Sequence, residues 1–533
     1  MNILLAAVNA KYIHSCPAVY SLRASSRHPE IVEIAEFTIN DRYQDILAGI
    51  LEKNADIIGF SAYIWNTNIM RDLIADIRRV RGNEALLFAG GPEASSAPER
   101  FLPDCDFVIC REGERPFKEL AALALAEDDP RKLLKRVREE LPGAAYLADG
   151  SLRLNPALPV TSEDFDRIPF PYDDLRPFDN RILYYESSRG CPFSCSYCLS
   201  SIDKHVRFRS LDKVFSELRF FIEKRVPQVK FIDRTFNCNH ERTKRIWTFL
   251  RDHDKGLTNF HFEIGADLLD EEELAILEGL RPGLVQLEIG IQSTNPETLA
   301  AIRRVTDLPR LYANIRRLRR ARNINLHLDL IAGLPYEDLA SFGRSFDDVY
   351  RLHADQLQLG FLKLLAGTAM EAEAEAYDIR CSRRPPYEVL STKWLSCAEL
   401  DRLRRICDVL EYYYNSRQFI HSLDYLEPFW ESAFSFFGEL ADFFRARGYD
   451  KMKPAAARRY EALDEFVTDR GLGELFIFRE YLRFDQALHI HKSRKRSVSD
   501  VYNFGRGKVH VTIDYGQRDL LTGEAGYTLE RLE

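Results

Sequence analysis

Long apolar runs are missing from this 533-residue sequence: none approaches the roughly 18 residues that suggest a membrane span. The opening Met1-Asn2-Ile3-Leu4-Leu5 lacks the basic start and extended apolar core of a secretion signal. A soluble, cytoplasmic chain is the expectation. Cysteine is scarce, ten in all, which is too few for a disulfide framework in so long a chain. Positive charge is not in excess, since the formal net charge is −8, and that argues against a protein that coats nucleic acid or anionic membrane. Internal repeats and low-complexity tracts are also absent.

The chain does have length and apolar content. At 533 residues with 45% hydrophobic side chains, it exceeds what one core serves and should form two or three domains. Over the first 125 residues, short apolar runs at Ile3 to Val8, Asp56 to Ala62, Ala85 to Gly91 and Asp106 to Cys110 read as strands. Leu73, Ile74, Ile77 and Val80 have helical spacing between two of them, a pattern that favours a doubly wound parallel sheet. Pro156, Pro159, Pro169, Pro171 and Pro177 then forbid continuous helix or strand. From Arg181 six strand candidates follow: Ile182 to Ser187, Val229 to Asp233, Phe260 to Gly265, Val285 to Ile291, Leu326 to Ile331 and Gln356 to Phe361. Their spacing fits strand-plus-helix units and an incomplete parallel (β/α)6 barrel with function at the carboxyl ends of its strands. Beyond Tyr377 the pattern is mostly helical and aromatic, with one late strand at Lys508 to Tyr515. The expected division is an α/β domain at 1–150, a Pro-rich linker at 151–180, a barrel at 181–376 and a mostly helical domain at 377–533.

Only three cysteines cluster. Cys191, Cys195 and Cys198 lie within eight residues directly after the first barrel strand. Thiolates on a loop can converge on one iron-sulfur cluster, and a cubane of four irons held by three cysteines keeps one iron open for a small chelating molecule. Structural zinc wants four ligands, and the nearest candidate for a fourth, His205, does not complete a knuckle spacing.

Cys191-x3-Cys195-x2-Cys198, with Tyr197 before the last cysteine, resembles the signature of the radical S-adenosylmethionine superfamily. The resemblance implies a 4Fe-4S cluster that cleaves S-adenosylmethionine reductively to a 5'-deoxyadenosyl radical, fed by an electron donor such as flavodoxin or ferredoxin. Phe231-Ile232-Asp233-Arg234-Thr235-Phe236-Asn237 departs from the family's Gly-Gly-Glu segment and resembles the Asp-x-x-Phe-Asn variant of the cobalamin-dependent branch. It implies a cofactor contact from Asp233, Arg234 or Thr235. Glu263 at the end of the third strand and Gln292 at the end of the fourth are the expected ribose or carboxylate contacts, with Gly290 allowing close approach. The segment Gly333-Leu334-Pro335 resembles the family's adenine-reading turn, and Lys363 to Thr368 matches a further segment of the branch.

Upstream, Ser61, Gly90-Gly91-Pro92-Glu93 and Glu112-Gly113 resemble the cobalamin-binding domain that precedes the barrel in that branch. The Asp-x-His-x-x-Gly motif is absent, so His14 is the remaining candidate for a lower cobalt ligand or else a packed histidine. Pro385 onward resembles an uncharacterised extension of one subset of these proteins. Cys238 is either catalytic by location or a packed thiol, and Lys492 to Arg496 is either a site for RNA phosphates or a solvated loop. The resemblance implies methyl transfer from cobalamin to an unactivated carbon. Cyclisation, rearrangement or oxidation with the same cofactors remains an alternative, as does a non-catalytic sensor. A small molecule, a peptide or an RNA is equally compatible as substrate, and oligomeric state is open.

Overall fold

A computed structural model describes residues 1–157, 159–451, 453–489, 497–505, 507–519 and 524–531. The basic run 492–496 lies outside the described residues. Ile3–Asn9 is buried along its whole length because it stands at the centre of a sheet, between Val32–Thr38 and Ile57–Ser61. Leu86–Gly90 and Phe107–Ile109 extend the sheet in parallel, and Ala144–Ala148 and Ser151–Leu154 complete it antiparallel. The chain reverses its order between Ile3–Asn9 and Ile57–Ser61, and a crevice opens at the carboxyl ends of strands at such a switch. Val32–Thr38 escaped the sequence reading because it is an edge strand whose glutamates, Glu33 and Glu36, interrupt the apolar run.

The Pro-rich stretch is more than a spacer. Ser162–Asp166 forms one helical turn that buries Phe165, and Arg189 and Arg209 stack their guanidinium groups against that ring at 4.9 and 5.0 Å. The chain then builds six parallel strands in the spatial order opposite to sequence: Gln356–Phe361, Asn325–Ala332, Val285–Gln292, Asn259–Ile264, Gln228–Phe231 and Leu183–Tyr185. Helices such as Leu211–Glu223 and Leu339–Tyr350 cover the outside. Val285–Gln292 and Asn325–Ala332 alternate strictly between buried and half-buried residues, so one row packs on helices while Glu288, His327 and Asp329 belong to the other.

Five helices follow, from Cys397–Tyr413 to Leu475–His489, and their aromatics form a core with the barrel's last helix through Phe346, Phe434 and Phe437. A three-stranded antiparallel sheet of Ser497–Asn503, Lys508–Arg518 and Ala525–Arg531 closes the chain, where the sequence pattern offers a single strand. Among the described residues no helix is long and apolar enough to cross a membrane.

One buried acid pins the barrel's fifth unit. Glu337 is fully buried and accepts hydrogen bonds from Ser293 at 2.7 Å and Ser345 at 2.9 Å. Burial raises its pKa from 4.5 to about 7. A raised folded-state pKa means the stabilising protonated form is complete below pH 4.5 and lost as pH rises through about 7. Glu337→Gln cannot ionise, so the wild type should lose roughly 3 kcal/mol relative to this variant across that window. Thermal unfolding of both proteins at pH 5 and pH 8 checks it; parallel shifts of the two midpoints would refute it.

Candidate active site

The three cysteines sit in a loop whose entry and exit are tied together. Ser188–Arg189 pairs antiparallel with Arg207–Phe208, and the Cys191 amide donates to the Asp203 carbonyl at 3.1 Å. Gly190 has φ +97°, and a Cβ there would lie 2.5 Å from the His205 carbonyl, so only glycine fits the turn. Cys191 and Cys195 are buried and Cys198 is half-buried. Arg304 donates to the Cys195 sulfur at 3.8 Å and to the Gly290 carbonyl, and Thr235 lies 3.7 Å from the Cys191 sulfur. Burial pushes the Cys191 thiol up, and the neighbouring thiols add to the effect. Among the described residues, the one group of three metal-ligating side chains with all ligand atoms within 4.8 Å is His240, Asp270 and Glu273. Structural zinc is closed by four ligands, so three cysteines on one loop better fit ligands to separate irons of a cluster.

The thiols open into a cleft of about 280 Å³ lined by Glu263, Glu288, Gln292, Arg304 and Asp329. Glu288 is half-buried, and the partial desolvation opposes ionisation, yet His261 at 3.0 Å and Lys230 at 2.8 Å outweigh it and hold the carboxylate well below the usual range. Glu263 has Lys230 only at 3.9 Å, and burial together with the charge of Glu288 raises it to about 7. Gln292 has φ +73°, and its buried Oε1 lacks a protein donor. His327 faces Asp329 at 3.2 Å. The cleft therefore presents acceptors that a ligand carrying N–H and O–H groups would satisfy.

A second cleft, of about 500 Å³, lies at the sheet's switch point. Ser61, Gly90, Gly91, Pro92, Glu112 and Gly113 line one side, and Tyr184, Glu186, Arg189 and Arg207 line the other. Gly91 has φ +96°, and a Cβ there would sit 2.6 Å from the Ala62 carbonyl, so backbone alone forms this wall. A broad, mainly apolar floor bordered by bare backbone fits a planar macrocycle such as a corrin. The walls are clamped by ions: Arg189 reaches Glu114 at 2.7 Å, Glu186 at 2.6 Å and Glu112 at 3.4 Å, while Arg207 pairs with Glu112 at 2.6 Å and also with Asp203.

Several expected residues stand elsewhere. Asp233 lines neither cleft; it is buried, accepts from the Ser187 amide at 2.8 Å and from the hydroxyls of Ser187 and Ser188, and is raised by burial to about 6. Its neighbours Arg234 and Thr235 do line the cluster cleft. Glu93 turns away from the corrin-sized cleft to accept from Tyr387 at 2.9 Å. Gly333 and Pro335 line neither cleft, and Gly333 lies under Val389. His14 is outside both clefts, with Nδ1 2.6 Å from the Tyr184 hydroxyl. The Cys238 thiol is half-buried, outside both clefts and pushed up to about 11 by burial, which leaves it unreactive at neutral pH. Sequence reasoning missed Arg189, Arg207 and Arg304. Nothing in their spacing distinguishes them from surface arginines, because tertiary contacts alone give them partners.

A switch-point sheet joined to a partial parallel barrel with a three-cysteine loop defines a two-cofactor α/β architecture. Comparison with known proteins sharpens this. The B12 binding domain matches residues 4–121, the Radical SAM superfamily residues 185–349, and a protein family of unknown function, DUF4080, residues 375–505. A B12 binding domain thus precedes a Radical SAM domain along the chain, and the two coincide with the switch-point sheet and the partial barrel. An uncharacterised methyltransferase of Pyrococcus horikoshii is 30% identical over 236 residues, 42% of this chain and 49% of that protein. The chain spans about half the length of the curated relatives it matches. Among solved structures, the radical S-adenosylmethionine methyltransferase TsrM from Kitasatospora setae, with cobalamin and a [4Fe-4S] cluster bound, has TM-score 0.58 at 17% identity, covering 73% of this chain and 79% of its own. The cobalamin-dependent S-adenosylmethionine radical enzyme OxsB has TM-score 0.63 at 14% identity, covering 91% of this chain and 80% of its own. The fold is shared with both.

Arg189→Ala would leave three carboxylates around one vacated cation site. We expect a loss of roughly 3–5 kcal/mol, the cost of breaking a buried ion pair from one side. Denaturant unfolding measures it, and a loss below about 1 kcal/mol, typical of exposed pairs, would contradict the clamp.

Proposed function

We propose that this protein is a cobalamin-dependent radical S-adenosylmethionine methyltransferase that methylates an unactivated carbon. The observation that carries the reading is that the corrin-sized cleft and the thiol-lined cleft abut, sharing Ser200 and Arg234. Cys191, Cys195 and Cys198 would hold the 4Fe-4S cluster. Glu263 and Gln292 would receive the hydroxyls and amine of S-adenosylmethionine, while Ser61, Gly90, Gly91, Pro92, Glu112 and Gly113 would border the corrin. When bound, the cluster supplies one electron, S-adenosylmethionine supplies a carbon radical able to abstract hydrogen, and the corrin supplies a methyl group.

The chain's own residues contribute binding, orientation and exclusion of water. Arg304 steadies one thiolate with positive charge, which lowers the cost of burying a thiolate beside the others. The Arg189 and Arg207 clamps hold the thiol loop against the corrin cleft at fixed separation. Acceptors without donors, among them Gln292 Oε1, orient an incoming polar ligand. Burial keeps solvent from reactive species. The same pair of abutting clefts also accommodates a second reading, in which both cofactors serve a reaction without methyl transfer.

Isotopically labelled methyl groups, followed from S-adenosylmethionine into product, separate the two readings. Replacing any one of the three cysteines by alanine should remove the cluster's absorption and lower deoxyadenosine formation by at least about 100-fold; retention of either would end the proposal. Gly91→Val should weaken cobalamin binding by at least about tenfold, read from the absorbance of the bound corrin, because the side chain enters the cleft wall.

A further inference from the structure

The place where the two clefts meet has an unusual charge. Ser200 and Arg234 are the two residues lining both, and Arg234 is the charged one. Other cations of these walls are engaged: Arg189 and Arg207 with carboxylates, Arg209 with the Ile168 carbonyl at 3.0 Å and the Glu186 carbonyl at 2.9 Å, Arg304 with a thiol and a carbonyl, and Lys230 with Glu288. Among the described residues Arg234 has no hydrogen bond or ion pair, and its side chain is exposed. Arg111, likewise without a side-chain partner among the described residues, lines the corrin-sized cleft alone.

An unpaired guanidinium is stable while water reaches it. Once two cofactors and a substrate fill the space on either side, water leaves, and an uncompensated cation becomes expensive. Glu263 on the wall of the thiol cleft feels this charge without forming an ion pair, so an anion arriving with the ligands would be the closer partner for Arg234. Deeper in the cleft the charge reverses, with Glu263, Glu288 and Asp329 on the wall. A polyanion such as RNA would be repelled there, whereas one anionic group at Arg234 with a donor-bearing body beyond it matches both ends.

We propose that Arg234, with Ser200 on the same shared wall, anchors the substrate by an anionic group, so that the molecule modified here is a small carboxylate or phosphate ester. This rests on the assignment of both cofactors above. The guanidinium fork suits either oxyanion bidentately.

The test uses full-length enzyme loaded with cluster and cobalamin, methyl-labelled S-adenosylmethionine, and a small-molecule extract of the cells that make the protein, split on a strong anion exchanger. Label should enter a product from the retained fraction. Arg234→Ala should need about 10- to 100-fold more of that fraction for half-maximal labelling, the loss of a charge-assisted pair, and Arg234→Lys should fall between. Label confined to the unretained fraction, or an unchanged requirement in Arg234→Ala, would overturn the proposal. S-adenosylmethionine titrated against the cluster's paramagnetic spectrum, and cobalamin against its absorbance, should saturate Arg234→Ala within about twofold of wild type. A tenfold weakening of either would assign Arg234 to a cofactor and overturn the proposal as well. If the wild type binds both cofactors but labels nothing in any fraction, methyl transfer itself is refuted and this anchor falls with it; labelling that ignores Arg234 refutes the anchor alone.

Discussion

The guanidinium of Arg189 holds together parts of the chain that are far apart in sequence. It stands immediately before the thiol loop, pairs with Glu114 at the start of a helix in the first domain, and rests on Phe165 from the intervening segment. Each partner is partly shielded from water, so the contacts are mutually dependent: removing one leaves charge that cannot be resolvated without opening the joint. The spacing between the corrin-sized cleft and the cysteines follows from this joint, because Arg207 repeats the bridge through Glu112 and Asp203, and the Asp203 carbonyl holds the Cys191 amide. The sheet and the barrel thus behave as one frame at the point where the two clefts meet.

The barrel interior is polar where many parallel barrels are filled with branched aliphatics. Lys230, His261, Glu288, His327 and Asp329 come from four adjacent strands, Glu288 between Lys230 and His261, and Asp329 against His327. Such a lumen gives little hydrophobic stabilisation, and the apolar weight shifts to the outer face, where the covering helices pack. Polar side chains that satisfy one another imperfectly keep a preference for a polar guest.

Much of this was legible in the sequence, and what escaped has a physical pattern. Strands buried on both faces, such as Ile3–Asn9 and Ile57–Ser61, announce themselves as continuous apolar runs. Val32–Thr38 hides behind its glutamates, and the final sheet is three strands where one shows, because strands with one exposed face carry mixed composition. The thiol loop is visible because its three cysteines lie within eight residues. Arg234 is visible only as one of three candidates, and Asp233 beside it turns inward to serve Ser187 and Ser188, since successive residues leaving a strand point to opposite sides. Arg304 and the arginine clamps cannot be read from the chain, because their partners come from remote segments.

The bond between Tyr387 and Glu93 spans 294 positions of sequence, and Arg100 also donates to the same phenol. Glu93 follows the glycine pair that borders the corrin-sized cleft, so the last donor it receives is made long after the sheet around it. Synthesis from the amino end therefore makes Glu93 and Arg100 long before the phenol they share, and the tie between the first sheet and the segment after the barrel forms late.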